Sequence, residues 1–285
     1  MTRSGCRGCD PVQDYRRFYA EFIVKSAGCS DDRLVSAFAA VPREEFVGSG
    51  PWEVFVGSGY IPTISDDPRH LYQDILIGLA VDRKINNGQP SLHARCLAAA
   101  LPKPGESVVH IGAGTGYYTA ILAFLVDPGG HVVAFEIEAD LAARARNNLS
   151  RFSNVSVRTE SAATGIIPAA DVIYVNAGAT QPLPTWLDAL KIGGRLVLPL
   201  TPEEDFGVML VITRKAPNSY AANALVRVAF IPCIGARDAI TSASIGAALE
   251  RQSLKMVRSL RRDSPPDETS WCIGQDWWLS SAEPA

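Results

Sequence analysis

The 285-residue sequence lacks any apolar run approaching the ~20 residues that a membrane-spanning helix needs. Its first residues, MTRSGCRGCD, lack the hydrophobic centre of a signal peptide. Neither sign of charge dominates, since the formal net charge is −3, so the charge balance gives no reason to expect nucleic acid or an anionic membrane as the main partner. These absences predict a cytoplasmic globular protein that binds neither nucleic acid nor membranes.

Metal-ligand and nucleophile patterns are also missing. Cys6 and Cys9 form a single CxxC motif without a second ligand pair, and the four histidines are isolated, so we predict no metal site. We interpret residues 1–10 as a flexible tail with free thiols. No His/Asp or Cys/His dyad stands out either, which restricts an enzyme to chemistry that needs no such dyad.

The N-terminal part of the chain has helical periodicity. Apolar positions in residues 11–46 repeat at three- and four-residue steps, which predicts two helices, with Ser30 or Asp31 as the N-cap of the second. Residues 48–67 are rich in Gly, Pro, Ser and aromatic residues and show no period. We expect an ordered, functional loop there, lying against the domain.

Strand and helix signals alternate regularly through residues 91–235. Short β-rich runs such as SVVHIG and HVVAFEI are separated by helical stretches, which predicts an α/β fold with a doubly wound, mostly parallel sheet. The runs DFGVMLVITRK and LVRVAFIPCI then predict a hairpin at one edge of that sheet.

Residues 236–285 form a C-terminal extension, for which we predict a helical character. The stretch Ala239 to Arg262 can form one helix with an apolar side and a basic side, and we expect the basic side to be solvated. Trp271, Trp277 and Trp278 are expected to pack onto the domain. The alternative is that this extension mediates protein contacts.

The stretch HIGAGTGYYT, which begins at His110, follows the first central strand. In an open parallel sheet, ligands bind beyond the carboxyl ends of the strands, and the absence of side chains at Gly112, Gly114 and Gly116 permits a close approach. A dinucleotide fingerprint would be GxGxxG, whereas Tyr117 stands where its third glycine belongs. The loop therefore predicts a small-ligand cradle and disfavours NAD or FAD.

Glu136 is the first acidic residue after the second central strand. A carboxylate at that point can accept both hydrogen bonds of a ribose diol, as in nucleotide sites and in S-adenosylmethionine (SAM) sites. Glu136 therefore indicates an adenosine group without saying which adenosine cofactor carries it.

Six segments in the same order resemble the protein-L-isoaspartate O-methyltransferases, from about residue 32 to residue 234. DDRLVSAFAAVPREEFV is similar to the family's N-terminal helix with its VPRE-x-FV signature, and HIGAGTGYYTAILA is similar to EIGTGSGYQTAVLA. LPTWLDALKIGGRLVLPL is similar to IPxxLxxQLKxGGRLVxPV, and LYQD, GQPSLHA and NVSVRTESAATG match shorter segments. Together the six segments make the resemblance specific.

The resemblance implies a class I SAM-dependent methyltransferase domain with a Rossmann-like fold over residues 11–235. Residues 11–90 would supply helices and substrate-side loops, and residues 91–235 the core. SAM would be the cofactor, and the substrate would be a carboxylate of a peptide or protein. Because a carboxylate with a pKa near ~4 is ionised at neutral pH, methyl transfer to it needs alignment rather than a general base.

The resemblance also assigns residues. The glycines would face the methionine part of SAM, Glu136 the ribose, and Glu160 with Ser161 the adenine edge. Asn86, Asn87 and Gly88 take the place of the family's Thr-Ile-Ser, which closes over the sulfonium and the incoming carboxylate. The cofactor-binding set implied in this way is Gln89, His110, Gly112, Ala113, Gly114, Thr115, Gly116, Glu136, Ile137, Glu160, Ser161 and Asn176.

Three departures from the family keep alternatives open. Gly88 replaces the hydroxyl associated with substrate binding, His110 stands where an acid is usual, and the family's GDG reads Glu160-Ser161-Ala162. An amide of Asn86 or Asn87 could supply a donor instead. The substrate could be isoaspartate or a carboxylate of a dedicated peptide, and a SAM-binding adaptor or sensor without methyl transfer is a further hypothesis.

Overall fold

The computed structural model describes residues 11–262 and 264–284, so the predicted tail with Cys6 and Cys9 lies outside the described residues. Four α-helices and four short strands precede the central sheet, and the last of these helices leads into it. They are α1 (Pro11–Ser26), α2 (Asp32–Ala40), α3 (Glu44–Val47), β1 (Glu53–Phe55), β2 (Tyr60–Pro62), β3 (Gly78–Ala80), β4 (Ile85–Asn86) and α4 (Pro90–Ala100).

The predicted N-terminal helices are present. Asp31 is the N-cap of α2, because its side chain accepts a hydrogen bond of 2.8 Å from the backbone N–H of Arg33. Residues 48–67 are ordered, as expected, and contain the antiparallel β1–β2 hairpin.

Strands and helices alternate in the central fold, and strands dominate the C-terminal part. These elements are β5 (Ser107–Ile111), α5 (Tyr117–Val126), β6 (His131–Phe135), α6 (Ala139–Asn148), β7 (Val155–Arg158), β8 (Ala170–Val175), α7 (Pro184–Ala189), β9 (Leu190–Leu200), β10 (Gly207–Ala216), β11 (Ser219–Val228), α8 (Ala239–Arg251), β12 (Ser259–Arg261), β13 (Ser270–Ile273) and β14 (Trp278–Ser280).

Ten strands form one mixed sheet in the order β13-β14-β12-β11-β10-β9-β8-β5-β6-β7. The five strands from β9 to β7 in that order pair in parallel, and the rest pair antiparallel. The chain runs outward from β5 through β6 to β7 and then returns to β8 on the other side of β5. The doubly wound parallel arrangement is confirmed, and its strand order reverses between β5 and β8.

Each face of the sheet carries its own apolar core, because side chains alternate between the faces of a strand. On β5, Val108 belongs to the core formed with α1, α2, α4 and α5, whereas Val109 and Ile111 belong to the core formed with α7 and α8. This alternation decides which side chains near the glycine loop can reach a ligand.

Two predictions about the C-terminal half are wrong. The β10–β11 hairpin is not at a sheet edge, because β12, β14 and β13 continue the sheet beyond β11, and β11 begins earlier than the predicted run, at Ser219. The helix predicted to reach Arg262 ends at Arg251. Val257 and Leu260, which fit the apolar side of a longer helix, are instead buried against the sheet. The extension therefore combines one helix with three strands.

The three C-terminal tryptophans pack onto the domain, as expected, since Trp271, Trp277 and Trp278 are all buried. Arg251 and Lys255 of the predicted basic side are exposed. Within residues 11–262 and 264–284, no helix is both long and apolar enough to cross a membrane.

Candidate active site

A cavity of about 950 Å³ lies at the carboxyl ends of β5, β6 and β8, where the strand order reverses. The loop after β5, Glu136 after β6 and Asn176 after β8 line it on the sheet side. Residues 85–89 and residues 226–234 line it from other directions. This is the position at which open α/β sheets bind their ligands.

The glycine loop between β5 and α5 presents its backbone to this cavity. The N–H groups of Gly112 and Ala113 both donate to the Phe135 carbonyl, at 2.9 and 3.1 Å, which fixes the loop against β6. Gly114 has a φ of +57°, and a Cβ built there would meet only Leu79, at 3.6 Å. The space beside Gly114 is therefore left for a ligand, and the backbone conformation favours glycine.

Glu136 is bound to the same loop. One carboxylate oxygen accepts from the Gly114 N–H at 2.6 Å, and the other accepts from the Glu138 N–H at 3.0 Å. Burial raises the pKa of Glu136, and these two backbone donors act in the opposite direction. The carboxylate is thus held in a fixed orientation beside the glycine loop and keeps lone pairs for further donors.

Residues 86–89 form a fixed turn between β4 and α4. The Asn86 side-chain oxygen accepts from the Gly88 N–H at 2.9 Å, and Gly88 has a φ of +73°. The Asn87 side-chain oxygen accepts from the Ile77 N–H at 3.0 Å. Gln89 donates to Asp74 at 3.0 Å. Both asparagine oxygens are therefore used to shape the turn, which leaves their N–H groups for other acceptors.

Arg43 supports this turn from below. Its guanidinium is fully buried and donates to the carbonyls of Leu71, Gln73 and Ile75 at 2.7 to 3.0 Å, and to the Asn87 oxygen at 3.3 Å. Arg43 is the arginine of the VPREEFV segment. That segment therefore contributes to the site by positioning the turn.

Two buried polar atoms beside the turn have no hydrogen-bond partner among the described residues: Asn87 Nδ2 and His93 Nε2. Both residues line the cavity. Because burial of an unpaired polar group costs about 1–3 kcal/mol, such atoms indicate where a polar ligand group is to be expected.

A short ribbon formed by β3 and β4 borders the cavity on the side of β6. Arg83, between these strands, lines the cavity and binds Glu138 at 2.5 Å and Asp140 at 2.6 Å. Leu79 on the same ribbon lies beside Gly114. The ribbon is thus tied to the segment that follows Glu136.

The structure brings together all the residues assigned to the site from the sequence except His110 and Gly116. His110 is fully buried and contacts Thr119 through Nδ1 at 2.8 Å. It does not line the cavity, because the strand alternation of β5 turns it to the opposite face from Ile111. A Cβ on Gly116 would approach a Leu149 methyl group at 2.7 Å, so this glycine allows helix packing rather than ligand contact.

Several lining residues were not found from the sequence. They are Phe55, Leu79, Arg83, His93, Tyr118, Phe206, Phe230 and Ile231. Among these, His93 had a local signal, since it lies four residues after Gln89 on the first turns of the helix that follows the turn. Tyr118 lies two residues after Gly116 in the glycine-loop segment, and Arg83 lies three residues before Asn86. Phe55, Phe206, Phe230 and Ile231 come from distant segments and become neighbours only when the chain folds. In the described part of the chain, no group of three His, Cys, Asp or Glu residues could hold a metal ion.

Comparison with known proteins identifies one family over most of the chain. The family model "Protein-L-isoaspartate(D-aspartate) O-methyltransferase" matches residues 22–238. The protein-L-isoaspartate O-methyltransferase of Ignicoccus hospitalis is 33% identical over 228 residues, which cover 78% of this chain and 99% of that protein. That of Aeropyrum pernix is 32% identical over 237 residues, 81% of this chain and 84% of that protein.

Solved structures agree with this match. A protein-L-isoaspartate O-methyltransferase structure has a TM-score of 0.65 and 27% identity, covering 82% of this chain and 68% of that chain. A Plasmodium falciparum structure described with the same name, in complex with S-adenosyl-L-homocysteine, has a TM-score of 0.61 at 20% identity, with 77% and 98% covered. The second similarity supports the fold.

Proposed function

The chain belongs to the protein-L-isoaspartate(D-aspartate) O-methyltransferase family, and on this premise we propose that its cavity joins a SAM site to a site for an isoaspartyl carboxylate. The protein is a SAM-dependent methyltransferase with a class I fold. The observation that carries the proposal is the open backbone at Gly114 with the Glu136 carboxylate fixed beside it.

The residues present fit SAM. The unobstructed face of the glycine loop accepts the methionine part, and Glu136 accepts the two ribose hydroxyls through its remaining lone pairs. Glu160 and Ser161 line the same cavity and take the adenine edge, while Ile137 supplies a half-exposed apolar surface for the ring.

When bound, SAM would supply a methyl group on its sulfonium sulfur, and transfer to a carboxylate oxygen would form the O–CH₃ bond, break the C–S bond and leave its electron pair on sulfur. No proton moves in such a displacement, so the site needs no general base. The turn at residues 86–89 would hold the incoming carboxylate in the same cavity as the cofactor. Apolar lining residues such as Phe55 and Phe230 exclude water from the reacting atoms.

The peptide side of the site is apolar. Phe206, Ile231 and Ile234 line the cavity, and they are 55%, 37% and 59% exposed. Exposed apolar side chains that continue a cavity indicate a surface for an apolar partner. We propose that the residues flanking the methylated carboxylate pack on these three side chains, which favours apolar neighbours in the substrate peptide.

The test uses two peptides of the same sequence, one with an isoaspartyl residue and one with an aspartyl residue, incubated with methyl-labelled SAM. We expect a base-labile methyl ester on the isoaspartyl peptide. Ester on the aspartyl peptide alone would show that the substrate group is an ordinary carboxylate of a dedicated peptide and not isoaspartate. SAM binding without turnover of either peptide would contradict methyl transfer and support an adaptor.

Gly114→Val provides the matched inactive variant. Its side chain would fill the open face of the loop, and we expect SAM binding and ester formation to be lost while the fold is retained. Gly105→Val is the control, because Gly105 also has a positive φ, +83°, but no atom lies within 4 Å of its Cβ position. Normal SAM binding by Gly114→Val would show that this loop is not the cofactor cradle.

A further inference from the structure

His93 stands where a side chain of residue 88 would be. A Cβ built on Gly88 would lie 2.2 Å from His93 Nε2, which is far closer than any van der Waals contact. The imidazole therefore fills the space that a serine at position 88 would need, and His93 in this position requires glycine at 88.

The imidazole is held rigidly in this position. It stacks on Tyr118, with ring centroids 3.7 Å apart, and meets the edge of Phe230 at 6.2 Å. Its Nδ1 lies 2.8 Å from the Tyr174 hydroxyl. A polar group held by packing and a second hydrogen bond is preorganised, so little entropy is lost when it binds a ligand.

The neighbours of His93 decide which ring nitrogen carries the proton. Tyr174 has two polar neighbours, His93 Nδ1 and the Cys96 thiol. We infer that the phenol donates to the imidazole nitrogen, because sulfur is a weaker acceptor than that nitrogen. Burial lowers the pKa of His93 to about 3, which leaves one proton on the ring at neutral pH. With Nδ1 accepting from Tyr174, that proton lies on Nε2, which has no partner among the described residues.

Resting on the function proposed above, we propose that His93 Nε2–H binds the substrate carboxylate in place of the family's lost hydroxyl. Compared with the family, the hydrogen-bond donor is at position 93 instead of position 88, and the lack of a side chain at Gly88 leaves room for it. A neutral N–H can bind the carboxylate without transferring a proton to it, so the carboxylate stays ionised and nucleophilic.

Two variants of His93 separate hydrogen bonding from packing. His93→Gln keeps an N–H group at a similar reach, whereas His93→Leu keeps much of the volume without a donor. We expect His93→Leu to lower kcat/KM for the isoaspartyl peptide by roughly 10- to 100-fold, the value of a hydrogen bond to a charged group. We expect His93→Gln to retain most of the wild-type value.

Binding measurements distinguish a contact with substrate from a loss of structure. With S-adenosylhomocysteine-loaded protein, calorimetry should show weaker peptide binding by His93→Leu, whereas the affinity for SAM should be unchanged in both variants. Wild-type peptide binding and turnover by His93→Leu would overturn the proposal. Equal losses in both variants with intact SAM binding would also overturn it, since packing alone would then explain them.

A second pair keeps the test decisive if His93→Leu does not fold. Gly88→Ser alone should lose peptide methylation, because the serine collides with the imidazole and also strains a backbone with a φ of +73°, a strain that the double variant shares. Adding His93→Ala frees that space and places a hydroxyl there, and we expect activity at least about tenfold above Gly88→Ser alone. No recovery would count against the exchange of donors. A wild-type protein that methylates no isoaspartyl peptide would instead overturn the proposed function.

Discussion

Glu136 shows how the site balances opposing effects at the scale of one residue. Its carboxylate is 6% exposed, and burial raises its pKa, while two backbone N–H groups compensate part of that cost. Ribose hydroxyls would add further donors to the same oxygens. The residue therefore holds the glycine loop in shape, and the additional donors of a bound cofactor would further stabilise its charged form.

Replacement of Glu136 by glutamine should weaken SAM binding. Glutamine offers one acceptor oxygen, and its NH₂ group would face a backbone N–H, so charge-assisted bonds are lost. We expect the Kd for SAM to rise roughly 10- to 100-fold, as measured by calorimetry. Asp140→Asn serves as control, because Asp140 is a nearby carboxylate that forms an ion pair with Arg83 but does not line the cavity. Equal effects of both changes would argue against a ribose contact.

At the scale of elements, the C-terminal extension completes the sheet. Strand β12 pairs with β11, and β14 and β13 follow it outward, so the hairpin predicted at the edge has neighbours on both sides. The second apolar core includes Trp271 and Leu279 from this extension together with side chains of the parallel strands. Nearly all of the extension lies beyond the family match, which ends at residue 238, yet the extension and the matched domain share one apolar core.

Trp271→Ala should therefore destabilise the whole domain rather than release a separate tail. Trp271 is 2% exposed, and its indole N–H donates to the Ser253 carbonyl at 3.2 Å. Loss of a buried tryptophan costs about 3–5 kcal/mol, which we expect in the free energy of unfolding measured by urea denaturation. Ile240→Ala, at an 83% exposed position of the same extension, should change it little. Unfolding of the extension in a separate transition, at a lower urea concentration than the rest of the domain, would contradict a shared core.

At the scale of the whole molecule, two buried histidines couple stability to pH. Burial lowers the pKa of both His93 and His110 to about 3. The unfolded chain binds a proton at each below pH ~6.5, whereas the folded chain does not. Since the unfolded state then binds more protons, the free energy of unfolding falls as pH decreases from about 6.5 towards 3.

Between pH 7 and pH 5 we expect a loss of about 2 kcal/mol for each histidine, from 1.36 kcal/mol per pH unit. His110→Gln can keep a hydrogen bond to Thr119 but does not titrate, so it should remove about 2 kcal/mol, half of the combined loss of about 4 kcal/mol. Urea denaturation at both pH values measures the difference. His131→Gln, at the exposed start of β6, is the control. An unchanged pH dependence in His110→Gln would show that His110 is protonated in the folded protein.

The sequence by itself determined the parallel core and the place of the site. The signals were local features: alternating strand and helix periods, GxGxG spacing at residues 112–116 and an acid at the end of the next strand. Such features can be identified from the sequence without knowing how the chain packs. The structure lines one cavity with Gly114, Glu136 and residues 86–88, of which the last were assigned through the family resemblance. The N-cap at Asp31 was predictable for the same reason.

Only the tertiary structure decided the rest. The apolar spacing after Arg251 predicted a continued helix, but the chain leaves the helix there and pairs with β11 through Ser259 and Leu260. His110 lies next to the glycine loop in sequence yet faces away from the cavity. His93, five residues after Gly88, reaches it because the helix that follows the turn brings the imidazole back over that glycine. Side-chain direction and long-range neighbours depend on packing, which no short motif records.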